Sequence, residues 1–178
     1  MARGFSLIEV LVATAVTTIG TLAVAQLCAM SMRMNQNAQV MTVATLLASQ
    51  KMEQLRALAW TLDPVGLPIS ELTTDTTIVP PVSSGGTGLS ASPPGTLDIN
   101  TPGYCDFLDG NGVTLGGGRD PPAGTAFVRR WSIVPGRPGP GDTLAIQISV
   151  SRAGSRRRQG STAVGSDEVR LLGLRTRR

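Results

Sequence analysis

The sequence contains no histidine among its 178 residues. Most catalytic zinc sites, and the Ser-His and Cys-His pairs of hydrolytic enzymes, depend on an imidazole, so the sequence offers no such active site. Aromatic residues make up only 3% of the chain, which leaves few rings on which the bases of single-stranded nucleic acid could stack. The absence of histidine favours a protein that is not an enzyme.

The chain has only two cysteines. Cys28 lies in a long apolar run, whereas Cys105 lies far away in a region with the composition of a loop. A disulfide between them would require the apolar run to meet that loop, so we expect none, although an oxidising compartment outside the cytoplasm would permit one chemically.

Residues 5–30 form the apolar run, and its one charged residue is Glu9. A helix needs roughly 20 apolar residues to cross a bilayer core, so this run is long enough to span a membrane. A carboxylate within hydrocarbon costs about 2.5 kcal/mol or more, so either Glu9 has a cationic partner or it lies at headgroup depth. The leader before the run is short and basic. A secretory signal peptide has its small-residue cleavage site after the apolar region, whereas here a glycine precedes it.

The order Gly4, Phe5 and Glu9 resembles the class III signal of type IV prepilins and type II secretion pseudopilins. The resemblance implies that a membrane prepilin peptidase cuts between Gly4 and Phe5 and methylates the new amine of Phe5. It also implies a role for Glu9 in assembly, because this carboxylate can neutralise the cationic terminus of a neighbouring subunit when both charges are buried. Arg3 keeps the leader cytoplasmic, which predicts a single-pass inner-membrane protein with its carboxyl-terminal part exported.

Beyond the run, apolar and small residues recur at helical spacings of three and four. They are Met34, Ala38, Met41, Thr45, Ala48, Met52, Leu55 and Ala59. Polar residues, among them Lys51 and Glu53, occupy the other positions, and neither proline nor glycine occurs from Thr21 to Asp63. We therefore expect one helix over residues 6–59, roughly 80 Å long, which ends before Asp63-Pro64. Its second half is expected to lay the stripe against a sheet.

Residues 63–125 are rich in Pro-Pro and Gly-Gly pairs, which predicts turns and solvent-facing loops with at most short strands at 76–79 and 96–99. A cation loop is one interpretation of the oxygen ligands in this region, which are Asp106, Asp109, Asn111 and Asp120. Their spacing does not follow the EF-hand pattern, and we favour a plain Asp-Gly-Asn-Gly turn. The glycine-rich segments also lack the lysine of a phosphate-binding loop. We therefore expect no metal and no cofactor.

Alternating apolar residues predict strands at 127–134, 144–150 and 169–176. In the last of these, the alternation changes between Leu171 and Leu172, which suggests a bulge or a strand with two apolar faces. The predicted fold class is α+β, with one long helix packed on a small antiparallel sheet, and this order of elements also resembles a pilin. The predicted segments are a leader at 1–4, a membrane or fibre-core helix at 5–30, its amphipathic continuation at 31–62, and an exported domain at 63–178.

Charges are segregated along the chain. Residues 61–125 carry seven acids and one arginine, a balance of −6, whereas residues 126–178 carry eleven arginines and three acids, a balance of +8. Such asymmetry indicates either an anionic partner or regions that attract each other or neighbouring subunits, and we favour the second interpretation.

Residues 48–56 look most like those of minor pilins of the PilV type and I-type pseudopilins. The leading hypothesis is therefore a structural subunit of a type IV pilus or type II secretion fibre. Its partners would be prepilin peptidase, other pilins or pseudopilins, and the inner-membrane assembly platform. The alternative is a fibre-tip subunit that binds DNA or another anionic partner. Its phosphate-binding residues would be Arg156, Arg157 and Arg158, with Arg175, Arg177 and Arg178.

Overall fold

The computed structural model describes residues 6–78, 80–136, 143–154 and 168–177. These residues form one 51-residue helix, α1 (Leu7–Ala57), and the strands β1 (Trp60–Leu62), β2 (Pro68–Ser70), β3 (Cys105–Leu108), β4 (Thr114–Gly117), β5 (Phe127–Pro135), β6 (Thr143–Arg152) and β7 (Glu168–Thr176). The chain divides into two compact units, Met1–Gln39 and Val40–Arg178. The predicted α+β class, with a long amino-terminal helix and antiparallel sheet, is confirmed. The predicted segment boundaries stay predictions.

The long helix is confirmed to within two residues at its carboxyl-terminal end. It stops at Ala57, before Asp63-Pro64, because the chain turns into the two-stranded sheet of β1 and β2. Ala59 is held by Glu71 at this turn. The Glu71 amide donates to the Ala59 carbonyl at 3.1 Å, and the Glu71 carboxylate accepts a hydrogen bond from the Ala59 amide.

The main sheet has five strands in the order β4-β3-β5-β6-β7, and each neighbouring pair is antiparallel. The predicted meander in the final third of the chain is confirmed as β5, β6 and β7. Trp131 of β5 lies opposite Ile148 of β6, which lies opposite Leu171 of β7. These residues share the sheet face that packs against the core.

The second half of α1 buries a stripe against this face, as expected, but the stripe is rotated from the predicted one. Ala48, Met52 and Leu55 are buried, whereas Thr45 is exposed. The buried stripe also includes three residues that the apolar pattern did not select, namely Ala44, Leu47 and Lys51. The prediction placed Lys51 outside the stripe, which is wrong.

The interpretation of residues 63–125 as solvent-facing loops is wrong in part. β3 and β4 lie in this region, and every residue of β3 is buried. The strand predicted at 96–99 is a turn, in which the Asp98 amide donates to the Gly95 carbonyl at 2.8 Å. Thr76, Thr77 and Ile78 also form no strand. The sequence pattern did not predict β3 because the strand contains Asp106, whose cationic partners come from distant parts of the sequence.

Of the two interpretations of the last strand, the bulge is wrong and the strand with two apolar faces is confirmed. β7 pairs with β6 without a register shift, whereas β3 shifts register against β4 between Phe107 and Leu108. β7 has apolar residues on both faces, because Leu172 and Leu174 stay exposed. Gly173 occupies an inward-facing position, and a glycine suits it because a Cβ there would lie 2.9 Å from the Met52 sulfur. This glycine accounts for the apparent change of alternation.

A buried ionic cluster joins the helix to the sheet, and we call Lys51, Asp106 and Arg129 the Asp106 cluster. The Arg129 guanidinium donates from Nε to Asp106 Oδ1 at 2.9 Å and from Nη2 to Oδ2 at 2.8 Å. Lys51 Nζ lies 3.3 Å from the same Oδ2. The side chains of Lys51 and Asp106 are 0% exposed and that of Arg129 is 2% exposed. The cluster links an acid of the acidic region to an arginine of the basic region, so the attraction between regions is present within the chain at this pair.

The cluster makes further hydrogen bonds to backbone carbonyls. Lys51 Nζ donates to the Thr76 carbonyl at 2.5 Å and lies 3.7 Å from the centre of the Trp131 ring. Arg129 Nη1 donates to the Leu47 carbonyl of α1 at 3.0 Å. Burial lowers the pKa of Lys51 from 10.5 to about 8, and the Asp106 charge opposes this shift. The chain's single lysine is thus buried away from solvent between α1, the loop at Thr76 and the strands of the main sheet.

We predict that a fragment beginning at Asn35 folds alone, because the unit Val40–Arg178 contains the hydrophobic core. The fragment should be soluble and monomeric, with the circular dichroism of a mixed α/β protein. A spectrum with only helix, or with no structure, would contradict this division of the chain.

Removal of the Asp106 charge should destabilise that fragment strongly. Asp106→Asn leaves two buried cations without a counterion, and breaking such a pair costs about 3–5 kcal/mol. Lys51→Met removes one of those cations and leaves the Asp106-Arg129 pair intact, so its cost should be smaller. Urea unfolding of both variants at pH 7 measures the order, and the reverse order would contradict the assigned role of Asp106.

The Lys51→Met comparison also has a pH dependence with a definite sign. Between about pH 8 and 10.5 the folded protein releases the Lys51 proton while the unfolded chain keeps it, so this group makes folding more favourable as pH rises. The free energy of unfolding of the unsubstituted fragment minus that of Lys51→Met should therefore increase over this window. A constant difference would contradict the lowered pKa.

Candidate functional site

The amino-terminal end of α1 contains the acidic residue singled out by the sequence. Ser6 immediately precedes the helix and Glu9 lies in its first turn. The Ser6 amide donates to Glu9 Oε2 at 2.9 Å, and the Glu9 amide donates to the Ser6 carbonyl at 3.1 Å. The side chain of Glu9 thus satisfies an amide at the end of the helix, as in a capping box. Gly4 and Phe5 lie outside the described residues.

Sequence reasoning missed this capping contact, although its signal was present. Serine followed three residues later by glutamate is the sequence signature of a capping box, and here it coincides with Ser6 and Glu9. The negative charge also lies where the positive end of the helix dipole favours it. Glu9 therefore has a local structural role in the single chain, in addition to any role toward a neighbouring subunit.

Four threonines follow Glu9 along α1, and each returns its hydroxyl to a helix carbonyl. The hydroxyl of Thr14 donates to the Leu11 carbonyl at 2.9 Å, and that of Thr17 donates to the Ala13 carbonyl at 2.7 Å. The hydroxyl of Thr18 donates to the Thr14 carbonyl at 2.7 Å, and that of Thr21 donates to the Thr18 carbonyl at 2.9 Å. Because these hydroxyls are satisfied within the helix, the segment can enter hydrocarbon or an apolar helix interface without unpaired donors.

The rest of this part of α1 exposes large apolar side chains. Leu7 is 84% exposed and Ile19 is 69% exposed, and the other large apolar residues up to Met34 are all more than half exposed. Among the described residues, α1 has the length and composition of a helix that could cross a membrane, and no residue of its most apolar stretch is buried. Cys28 of this helix and the buried Cys105 are free thiols.

The oxygen ligands of the possible cation loop are not brought together. Asp106 is committed to Lys51 and Arg129 in the core. Asp109 instead accepts the amides of Asn111 at 2.8 Å and Val113 at 2.9 Å, which forms the turn between β3 and β4. Within the described ranges, no three His, Cys, Asp or Glu side chains are grouped so as to hold a metal ion.

The arginines proposed for an anionic partner are only partly described. Arg156, Arg157, Arg158 and Arg178 lie outside the described residues. Arg175 Nη1 donates to the Leu55 carbonyl at 3.5 Å. Arg177 donates to the Thr61 carbonyl at 3.1 Å and lies 3.8 Å from the centre of the Trp60 ring. Two of the proposed phosphate-binding arginines are thus engaged within the protein, which weighs against the nucleic-acid alternative.

A comparison with protein families agrees with the amino-terminal motif. The family model for the prokaryotic N-terminal methylation motif matches residues 1–25. No curated protein matches the chain, and no solved structure matches it.

The match supports a type IV prepilin-like protein that is processed by prepilin peptidase and assembles with other pilins. The motif and the long apolar helix are consistent with anchoring in the inner membrane. Pilin-like proteins with this motif are structural subunits.

Proposed function

We propose that this chain is a minor pilin or pseudopilin, a structural subunit of a type IV pilus or type II secretion fibre. The observation that carries the proposal is the position of Glu9 in the first turn of a 51-residue helix whose first half exposes its apolar residues. Such a helix has two suitable environments, a bilayer before assembly and the apolar centre of a fibre after it. The chain would cross the inner membrane once, with its carboxyl-terminal domain exported.

Processing generates the second charge that assembly needs. Cutting between Gly4 and Phe5 leaves a cationic primary amine at Phe5, and the addition of one methyl group converts it to a secondary amine that keeps the positive charge. Glu9 of a neighbouring subunit can neutralise that amine where water is excluded, which offsets much of the cost of burying both charges. The capping contact with Ser6 uses Oε2 of Glu9, and a carboxylate has further lone pairs with which to accept from a neighbour.

Processing is predicted to remove residues 1–4 and to add one methyl group to Phe5. The intact mass of protein extracted from membranes of a host with prepilin peptidase should show both changes. Gly4→Val should block cutting, because a bulkier residue would occupy the cleavage site, whereas Ala2→Val is a matched change in the leader and should be processed. Recovery of only the full-length chain from this host would contradict the proposal.

Replacement of Glu9 should separate its two roles. Glu9→Val removes both the cap and the charge, whereas Glu9→Gln keeps a carbonyl oxygen that can accept from the Ser6 amide and removes the charge alone. Both variants should insert normally, since an isolated carboxylate in hydrocarbon is costly, and both should be processed. If charge pairing drives assembly, both should be poorly incorporated into complexes with other prepilin-like subunits.

Membrane fractionation and cross-linking in the same cells provide the measurements for the Glu9 variants. Normal incorporation of Glu9→Gln with loss of Glu9→Val would assign the effect to capping and refute charge pairing. Loss of either variant from the membrane would show that Glu9 acts in insertion instead.

A further inference from the structure

The two-stranded sheet after α1 leaves its large apolar side chains in water. We call residues 60–70, which comprise β1, β2 and the turn between them, the apolar hairpin. Leu62 is 41% exposed, Val65 83%, Leu67 63% and Ile69 44%. Leu62 lies opposite Pro68 and therefore on the other face of the hairpin from Leu67 and Ile69, so the apolar group consists of Leu67, Ile69 and the turn residue Val65. Single exposed apolar residues are ordinary, but such a group within five residues marks interaction surfaces.

The turn of the apolar hairpin is held rigid by one side chain. Asp63 Oδ1 accepts the amides of Val65 at 2.9 Å and Leu67 at 2.7 Å. The Asp63 amide donates to the Leu67 carbonyl at 2.8 Å, and Gly66 adopts the left-handed conformation that the turn requires, with φ of 86°. The two most exposed apolar side chains therefore project from a backbone with a defined geometry.

The base of the apolar hairpin is fastened to the carboxyl-terminal end of the chain. Arg177, which follows β7, donates to the carbonyls of Thr61 at 3.1 Å and Ile69 at 3.2 Å and to Ser70 Oγ at 2.9 Å. Its guanidinium also lies over the Trp60 ring. A rigid apolar element loses little conformational entropy when it binds, which is the property of a preorganised docking surface.

The exposed area indicates what kind of partner the apolar hairpin suits. Val65, Leu67 and Ile69 leave on the order of 300 Å² in water, within the range of the largest apolar patch on a typical monomer. A stable complex between free proteins buries about 800 Å² on each partner, more than twice this area. The patch is therefore too small to hold a free partner by itself. It is large enough to add a specific contact between proteins that are already held side by side, where the effective concentration is high.

We propose that the apolar hairpin docks onto the exported domain of a neighbouring pilin-like subunit in the same fibre. This inference rests on the proposed function, because the packing of the amino-terminal helices is what brings the neighbour close. The contact is between different surfaces of two subunits, and such head-to-tail contacts extend into filaments when the rotation does not close a ring. The neighbour must offer an apolar depression that receives Val65 and Leu67.

Site-specific photocross-linking of the full-length chain tests the contact. A photoreactive amino acid replaces Val65 in a host with prepilin peptidase and the assembly machinery, and the same label replaces Leu172 in a control. Leu172 is 66% exposed and lies on the solvent face of β7, so it matches the hairpin position in exposure. We expect the label at position 65 to form an adduct with a processed prepilin-like subunit, identified by mass spectrometry, and the control label to form none.

Paired substitutions measure the contribution of the hairpin to assembly. Val65→Ser with Leu67→Ser should lower co-purification with other prepilin-like subunits at least about tenfold, since two apolar side chains lose their burial. Leu172→Ser with Leu174→Ser is the control pair and should retain normal co-purification. All four side chains are exposed, so the circular dichroism of the fragment beginning at Asn35 should not change in either variant.

The outcomes separate this inference from the proposed function. If the unsubstituted chain joins no prepilin-like subunit, the proposed function fails and the docking surface fails with it. If the unsubstituted chain joins such subunits, normal incorporation of the hairpin variant overturns the docking surface and leaves the proposed function standing. Equal adducts from positions 65 and 172, or an adduct with an unrelated protein, also overturn it.

Discussion

The carboxylate of Asp106 balances two cations in a part of the molecule that water does not reach. Without it, Lys51 and Arg129 would be charges buried against an apolar core, and removing one partner of a buried pair is costly. The three groups come from α1, β3 and β5, and the two cations also donate to carbonyls of α1 and of the loop at Thr76. Hydrophobic contacts alone tolerate small shifts of a helix on a sheet. These directional bonds favour one register of α1, and the rest of the core packs around that register.

The two parts of α1 meet different physical demands. From Val40 onward, one face of the helix is covered by the sheet, and even a lysine is accepted there because its charge is paired. Between Leu7 and Gln39 the described side chains have no such cover, so the segment has to satisfy its own polar groups. It does so through the threonine hydroxyls and the contact between Ser6 and Glu9. A helix equipped in this way suits both a bilayer and a bundle of like helices, which is the combination that a fibre subunit requires.

Much of the fold follows from local patterns, and the errors have identifiable causes. The meander of β5, β6 and β7 was predictable because one face of each strand is apolar and the connections are short. β3 was not, because Asp106 interrupts its apolar residues and its partners lie 23 and 55 residues away along the chain. The stripe on α1 was misplaced for the same reason. A pattern based on hydrophobicity assigns a lysine to solvent, whereas the fold buries the chain's only one.

The sequence by itself determined the amino-terminal motif, the apolar helix with Glu9 and the antiparallel strands of the final third. Each of these depends on residues that are neighbours in the chain, so composition and periodicity are sufficient to predict them. Only the tertiary structure decided which face of α1 is buried, that Asp106 belongs to the core and not to a cation loop, and that Arg177 fastens the hairpin of Trp60. These features join residues far apart in sequence, and the energies of their charges depend on burial, which no local pattern contains.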